Sequence, residues 1–432
     1  MQHPTEPDFQ IIGGGLIGLS TAYALLKRGA SVRIIEAREG VALETSFANA
    51  GMVHPSLADP WNSPGVGWQM LGSLFGRPSP MTLHLSALPS MAGWGLKFLK
   101  HSIPARHWRA TKANYLLAIY SSALITQWRH SLSVQDDFQG LGLLKIFRDT
   151  AALSKAKTIT DKLSGMGLKA EYLTGPDAAA KEPSLAPIAD KLAGAIYYPD
   201  DYKADAYAFC VSLEQEIIKR GGAILTHTQA ASLNLEANTI TGVTLESGEI
   251  LRAQTTIITA ASASTALLKP LNINLPIRPV KGYSLTFGNC GGDNYNYPAL
   301  PVVDDNLHCA VTPLGGKIRI AGTAEITGFD TDMPPKRLEI LLDMLRSVYP
   351  ELAKNLSIKN GQAWHGFRPV SADGIPFIGK TKYKGLAVNT GHGHMGWTLS
   401  AGSGDLLADI LLDGTSDLDT KIFAPTRIKN RL

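Results

Sequence analysis

Three glycines and a glutamate near the start of the chain, and an arginine with two histidines far downstream, are the residues whose types and spacing could do chemistry. The first group lies in Phe9-Gln10-Ile11-Ile12-Gly13-Gly14-Gly15-Leu16-Ile17-Gly18, followed by an alanine- and leucine-rich stretch and then Ser31-Val32-Arg33-Ile34-Ile35-Glu36. Read physically, that is strand, turn, helix, strand. Gly13 permits the tight turn, Gly15 lets backbone N–H groups approach a pyrophosphate on the helix N-terminus, and Gly18 lets the helix pack against the strand. Glu36 closes the second strand, where its carboxylate can accept the ribose hydroxyls of an adenosine. Glycines also mark ordinary turns, so the reading as a dinucleotide cradle rests on the strand-to-helix context and on the acidic residue at the right distance.

The second group begins with Arg368 in Gly366-Phe367-Arg368-Pro369, between a strand and a turn. A planar guanidinium can grip a carboxylate through two parallel hydrogen bonds; a structural arginine bound to a carboxylate or a buried carbonyl is the alternative. His392 and His394 lie in a loop with Gly391, Gly393 and Gly396, a composition that lets backbone approach a planar ring closely. Backbone N–H groups there, with the Thr398 hydroxyl and a helix N-terminus, could stabilise negative charge developing on such a ring. That role uses the backbone more than the imidazoles. No carboxylate or cysteine stands at ligand spacing from the two histidines, so no metal site is expected.

The elements that must position these groups are interleaved along the chain. Residues 9–55, about 150–275 and 361–432 are expected to form a Rossmann-like cofactor domain, a parallel sheet with helices. Residues 56–149 and 276–360 are expected to form a discontinuous α+β substrate domain with an antiparallel sheet, giving an α/β protein overall. Tyr115–Leu132 reads as a helix, Thr174-Gly175-Pro176-Asp177 as a helix start, and Glu214–Arg220 as a helix ending at Gly221-Gly222. Ala223–Leu235, Thr239–Glu246 and Thr255–Ala260 read as strands, with a hairpin turn at Ser247-Gly248-Glu249. Tyr283-Ser284-Leu285-Thr286-Phe287 and Ile318-Arg319-Ile320-Ala321-Gly322 alternate as strands of a sheet roofing the substrate. A helix follows from Pro334 to Tyr349, and a last helix, Ser403–Leu412, could point its N-terminus at the cofactor.

An NAD enzyme would need a third strand of its sheet soon after Glu36. Instead Ala37 to Val53 is a polar, small-residue loop that can follow an extended cofactor towards its reactive ring, and FAD is the extended cofactor. From Glu36 onward, and over nearly the whole chain, the sequence resembles the FAD-dependent D-amino-acid dehydrogenases of the D-amino-acid oxidase and glycine oxidase group. The segments that carry this are the cradle, Ala42-Leu43-Glu44-Thr45-Ser46 with Ala48-Asn49-Ala50-Gly51, Asp59-Pro60-Trp61 with Ser63-Pro64-Gly65, Lys281-Gly282-Tyr283-Ser284-Leu285-Thr286, Ala324-Glu325-Ile326, Gly366-Phe367-Arg368-Pro369, Asp373-Gly374-Ile375-Pro376 and Asn389 to Thr398. The pair His394-Met395 departs from the resembled enzymes, where smaller or less polar residues are expected.

The resemblance implies non-covalent FAD held by Ile12, Gly13, Gly14, Gly15, Ile17, Gly18, Glu36, Ala37 and Arg38, and by Glu44, Thr45, Ser46, Asn49, Ala50, Gly51 and Val53. It extends the set to Ala230, Ala260, Gly366, Gly391, His392, Gly393, Met395, Gly396 and Thr398. It makes Arg368 the holder of the substrate carboxylate and Tyr283 part of the enclosure. From the residues themselves, His54 directly after the flavin loop, Tyr202 after Asp200-Asp201 in a turn, and His394 are further candidates for substrate contact. The implied reaction oxidises a D-amino acid at Cα by hydride transfer to flavin N5, and water turns the imino acid into a 2-oxo acid and ammonia. Electrons then pass to a quinone or another carrier rather than dioxygen. Oxidation of a secondary amine such as proline, hydroxyproline or sarcosine is the alternative chemistry, and a flavin-binding protein without turnover is the alternative from another class.

Composition excludes little of this. The chain has 432 residues, 44% hydrophobic and 18% charged, with a net charge of +4 that is not gathered into a basic, aromatic-interleaved patch, so no nucleic-acid partner is expected. Cys210, Cys290 and Cys309 are widely separated, which fits a reducing cytoplasm. Met1 to Asp8 lacks the features of a secretion signal. Residues 89–109 place Met91, Trp94, Leu96, Phe98, Leu99, Ile103 and Trp108 among lysines and arginines. That suits a segment lying on the inner face of the plasma membrane, or an ordinary helix packed on the substrate domain.

Overall fold

The computed structural model describes residues 6–67, 81–83, 88–136, 138, 140–288 and 297–428, with backbone alone for 81–83 and 88–90. Cys290 and the lead residues Met1 to Thr5 lie outside the described residues.

Short runs of Ile and Val that are buried on both faces form the first sheet. Phe9–Ile12 lies at its centre, parallel to Val32–Ile35 on one side and to Thr255–Ile258 on the other. Ala223–Leu225 and Leu386–Thr390 extend it in parallel, and Phe377–Lys380 closes one edge antiparallel. Continuous apolar strands are what a parallel sheet covered on both faces requires. The helix Leu16–Lys27 is buried along most of its length, and the C-terminal helix Gly396–Leu411 presses on it so closely that a Cβ on Gly404 would lie 2.8 Å from the Ser20 carbonyl carbon. This last helix starts at Gly396, seven residues before the sequence signal at Ser403, because small residues carry it through the crowded contact.

The second sheet has nine strands and is mostly antiparallel. Its order runs Gln362–Ser371, Ile277–Gly288, Lys317–Ile326, Cys309–Leu314, Val302–Asp304, Leu143–Phe147, Gly194–Tyr198 and Glu171–Leu173, with Met81–Leu83 beside Lys317–Ile326. Strand burial here alternates less than the sequence suggests, since the helix Pro335–Val348 covers one face and the cavity described below lies against the other. A three-stranded sheet, Ala230–Glu236, Thr239–Leu245 and Ile250–Arg252, turns at Gly248 with φ +85°.

The boundaries between the two parts differ from the expected ones. Residues 150–198 were placed with the cofactor sheet, but Thr150–Ser164 packs on Leu143–Phe147 and Gly194–Tyr198, which belong to the nine-stranded sheet. Gln362–Ser371 is likewise a strand of that sheet. In the opposite sense, the helix Pro104–Ser131 leaves the substrate portion and lies on Gly396–Leu411, where a Cβ on Gly402 would strike Ser121 at 2.7 Å and the Ser121 hydroxyl accepts from Gly402 N. Local periodicity identifies a helix but not the sheet that it flanks.

Among the described residues no helix is long and apolar enough to cross a membrane. The expected amphipathic segment is broken between Leu88–His101 and Pro104–Ser131. Trp94 and Phe98 turn inward, while Leu96 is 67%, Leu99 45% and Ile103 47% exposed.

Candidate functional site

A continuous cavity of about 2600 Å³ runs between the two sheets. That exceeds the ~300–1,000 Å³ of an ordinary ligand pocket and leaves room for an extended cofactor with a substrate beyond it.

At one end is the glycine cradle. Gly13 has φ +108°, a conformation glycine adopts without strain, and its N–H donates to the Ile35 carbonyl. A Cβ on Gly18 would sit 1.9 Å from the Gly13 oxygen, so this glycine is demanded by the turn itself. Gly15 is different: the nearest atom to a Cβ there is Ser46 Oγ at 3.5 Å, so the space beside the helix N-terminus is left for something outside the chain. Both oxygens of Glu36 are oriented by backbone, Oε2 accepting from Gly14 N at 2.6 Å and Oε1 from Arg38 N at 2.8 Å. Their remaining lone pairs border the cavity, together with Ala37, Arg38, Ala230 and Ala260. These features fit the adenosine and pyrophosphate of FAD.

The loop after the second strand is lashed to the roof sheet. Thr45 donates to the Phe367 carbonyl, Ser284 to that of Ala48, Arg319 to that of Asn49 and Thr312 to that of Ala50. Glu44 pairs with Arg38. The loop therefore presents Thr45, Ser46, Asn49, Ala50 and Gly51 to the cavity at fixed positions. Facing them are Gly366, His392, Gly393 and Gly396, with the helix N-terminus at Gly396. Ile12, Gly13, Gly15 and Ile17 also line the space, whereas the expected cofactor residues Gly14, Gly18, Val53, Gly391, Met395 and Thr398 do not line it. Val53 pairs with Tyr202, and the Thr398 hydroxyl accepts from His54 N.

At the far end the cavity floor carries Arg368. Burial pushes its pKa down to about 10, so it stays cationic at neutral pH, and among the described residues no carboxylate pairs with it. Three neighbours set its position. Nη1 donates to the Thr323 carbonyl at 3.1 Å, the guanidinium lies 5.3 Å from the Trp61 ring, and the side chain leans over Gly282, where a Cβ would meet Nη1 at 2.0 Å. The strand register explains the last contact: Gly282 lies opposite Gly366, and Arg368 projects from two residues further along. The pairing of Lys281 with Glu325 and of Tyr283 with Gly322 leaves a bulge between them, and inside it Thr323 takes φ +59°, which accompanies its carbonyl contact with Arg368.

Trp61 is itself stacked on His394, 5.4 Å between centroids and 8° between planes, and His394 is parallel to His54 at 6.4 Å. Burial holds the three histidines neutral. His54 falls to about 3, with a further contribution from His394; His392 falls to about 3, and His394 to about 4. His394 Nε2 donates to the Leu57 carbonyl at 3.4 Å, while His54 Nδ1 and His392 Nε2 are buried without a partner.

Two expected substrate contacts need restating. Tyr202 does not line the cavity; its hydroxyl turns into the helix Pro104–Ser131, within reach of Ser122 and Thr126, because pairing with Val53 sets its side chain away from the open space. Tyr283 does line the cavity, but its hydroxyl donates to Glu325 Oε2 at 2.6 Å, and Glu325 also pairs with Arg337. Its phenol is thus occupied, and burial and the Glu325 carboxylate push its pKa up. Cys309 borders the cavity, yet burial pushes its thiol up, away from the reactive thiolate. Trp61, Gly282 and Thr323 carry no chemical signal of their own. All but Thr323 lie in the segments that carry the family resemblance, which was the available clue.

A protein-family model described as "FAD dependent oxidoreductase" matches residues 8–410. The chain is 35% identical over 411 residues to a D-amino acid dehydrogenase of Vibrio cholerae, covering 94% of this chain and 96% of that one. It is 33% identical over 419 residues to a D-amino acid dehydrogenase of Methylobacterium, covering 97% and 98%. Among solved structures, glycine oxidase from Bacillus cereus superposes with a TM-score of 0.73 at 24% identity, over 99% of this chain and 100% of that one, which shows the shared fold. With the cradle, the lashed loop and the half-buried arginine, these matches establish that the chain belongs to the FAD dependent oxidoreductase family.

Proposed function

We propose that this oxidoreductase deaminates D-amino acids to 2-oxo acids and ammonia. The observation that carries the reading is Arg368, a half-buried cation on the floor of the cavity that begins at the cradle, with no counter-ion among the described residues. An incoming carboxylate offsets the cost of burying that charge and gains a bidentate, charge-assisted pair. Thr323 and Trp61 fix the plane of the guanidinium, so the bound carboxylate aims the substrate in one direction. FAD, when bound, supplies the two-electron acceptor for the substrate Cα–H.

The chain's own groups supply orientation and a low-polarity wall. Neutral His54 and His394 keep a second positive charge away from the substrate amine, which must shed its proton before it can push electrons towards Cα. No strong base on the protein is required by this scheme. D-selectivity is supported by the names of the relatives, which are called dehydrogenases, in keeping with an electron acceptor other than dioxygen, here read as a quinone or another carrier. The exposed Leu96, Leu99 and Ile103 offer a surface through which the protein would rest on the membrane that holds such a quinone.

Anaerobic flavin bleaching by a panel of D-amino acids, their L-enantiomers, glycine, sarcosine and both prolines tests the assignment. Several D-amino acids should bleach rapidly. Bleaching by cyclic or N-methylated amines alone would move the function to secondary-amine oxidation.

A further inference from the structure

The segment Ala58–Asn62 is pinned from several sides. Asn114 Nδ2 donates to the Ala58 carbonyl at 3.2 Å, His107 Nε2 contacts the Pro60 carbonyl at 3.2 Å, Asn62 Nδ2 donates to the Ala372 carbonyl, and Trp61 is stacked on His394. Asp59 is the exception. Its side chain borders the cavity, is only partly exposed, and among the described residues has no hydrogen-bond or ion-pair partner. A partly exposed carboxylate on a fixed segment, bordering the cavity and without a partner among the described residues, is free to accept from a donor that a ligand brings in.

Its place relative to Arg368 indicates which part of the ligand. After burial, Asp59 is the next influence on His394, opposing the fall of its pKa, and Arg368 adds to that fall. Asp59 stands two residues before Trp61, whose ring lies 5.3 Å from the Arg368 guanidinium and stacks on His394, and Asp59, Trp61, His394 and Arg368 all border the same cavity. The carboxylate therefore serves the distal part of a substrate whose own carboxylate is on Arg368. A role against the α-amino group is disfavoured chemically, because an adjacent anion would stabilise the protonated amine that cannot react.

We infer that Asp59 is a specificity-determining residue that accepts a hydrogen bond from a donor group, an ammonium or a hydroxyl, carried by the substrate beyond its α-carbon. This rests on the proposed oxidation of amino acids and narrows it to donor-bearing side chains. A site built to hold a donor rejects the analogue lacking it, since its acceptor is then left unpaired.

The test compares kcat/KM within matched pairs, D-lysine against D-norleucine and 4-hydroxy-D-proline against D-proline, for the wild type, Asp59→Leu and Asp59→Asn. One pair should show a preference of about tenfold or more for its donor-bearing member, and Asp59→Leu should bring that ratio close to one. Asp59→Asn separates the sources, keeping a preference for hydroxyl, which an amide oxygen accepts, and sharply weakening one for ammonium, which keeps an acceptor but loses its counter-charge. Ratios near one in both wild-type pairs would overturn the inference. So would a ratio unchanged in both variants, or a loss in Asp59→Leu shared equally by both members, which marks a merely structural role. If the apolar members bleach the flavin as fast as the donor-bearing ones, this inference alone fails; if no member bleaches it, the proposed reaction fails with it.

Discussion

The two ends of the cavity differ in how their polar groups are settled. At the cradle, Glu36 is oriented by Gly14 and Arg38, Ser46 caps Leu16, and the loop that follows is tied to four residues of the roof sheet. At the floor, the half-buried Arg368 has no counter-ion and Asp59 no partner among the described residues, and the buried Thr323 hydroxyl and His54 Nδ1 are unsatisfied. Buried polar groups are normally paired, so the second pattern marks where the chain defers pairing to a ligand. The first end is a mould completed by folding, and the second is completed by substrate.

If that contrast holds, damage at one end should leave the other legible. Gly15→Leu fills the space beside the helix N-terminus and should give folded but colourless protein, seen as lost flavin absorbance with unchanged circular dichroism; full flavin occupancy would break the contrast at its cradle end. Arg368→Ala should retain FAD while kcat/KM for amino acids falls by about 10³-fold, the loss expected for a bidentate charge-assisted pair. Gly282→Ala should fall next, by about 10²-fold in kcat/KM, because the added methyl would overlap Nη1 and displace the guanidinium without touching the cofactor.

The smallest effect concerns the turn that follows His54. Asp201 is buried and holds Ser56 through the backbone N–H and the hydroxyl. Burial raises its pKa from 3.8 to about 7. The native state then binds more protons than the unfolded chain across that window, so the stability this group contributes is full below about pH 4 and is lost as pH rises through about 7. Asp201→Asn should flatten that slope in melting temperature between those limits; an unchanged slope would assign the pH dependence to other groups.

The cradle was legible from the sequence because its information is local: three glycines, an adjoining strand and Glu36 fall within one strand–helix–strand unit. Arg368 could be singled out by type, but its supports could not. Gly282 matters through a cross-strand register, Thr323 through a bulge between partners distant in sequence, and Trp61 through a stack of side chains from three segments. Tyr202 looked available because it follows two aspartates in a turn, and only its pairing with Val53 shows that it faces the helix instead. The division of residues 150–198 was missed for the same reason, since strand pairing with Leu143–Phe147 is a non-local fact. What neighbours in the chain decide can be read from the chain, and what sheets decide cannot.

One measurement bears most directly on the division of labour between the two ends. Purified Arg368→Ala and wild-type proteins would be mixed anaerobically with a D-amino acid that bleaches the wild type, recording both bound flavin and its rate of reduction. Equal flavin content with reduction slowed by about 10³-fold in the variant is the expected result. Equal reduction rates, or loss of the flavin with the arginine, would contradict it.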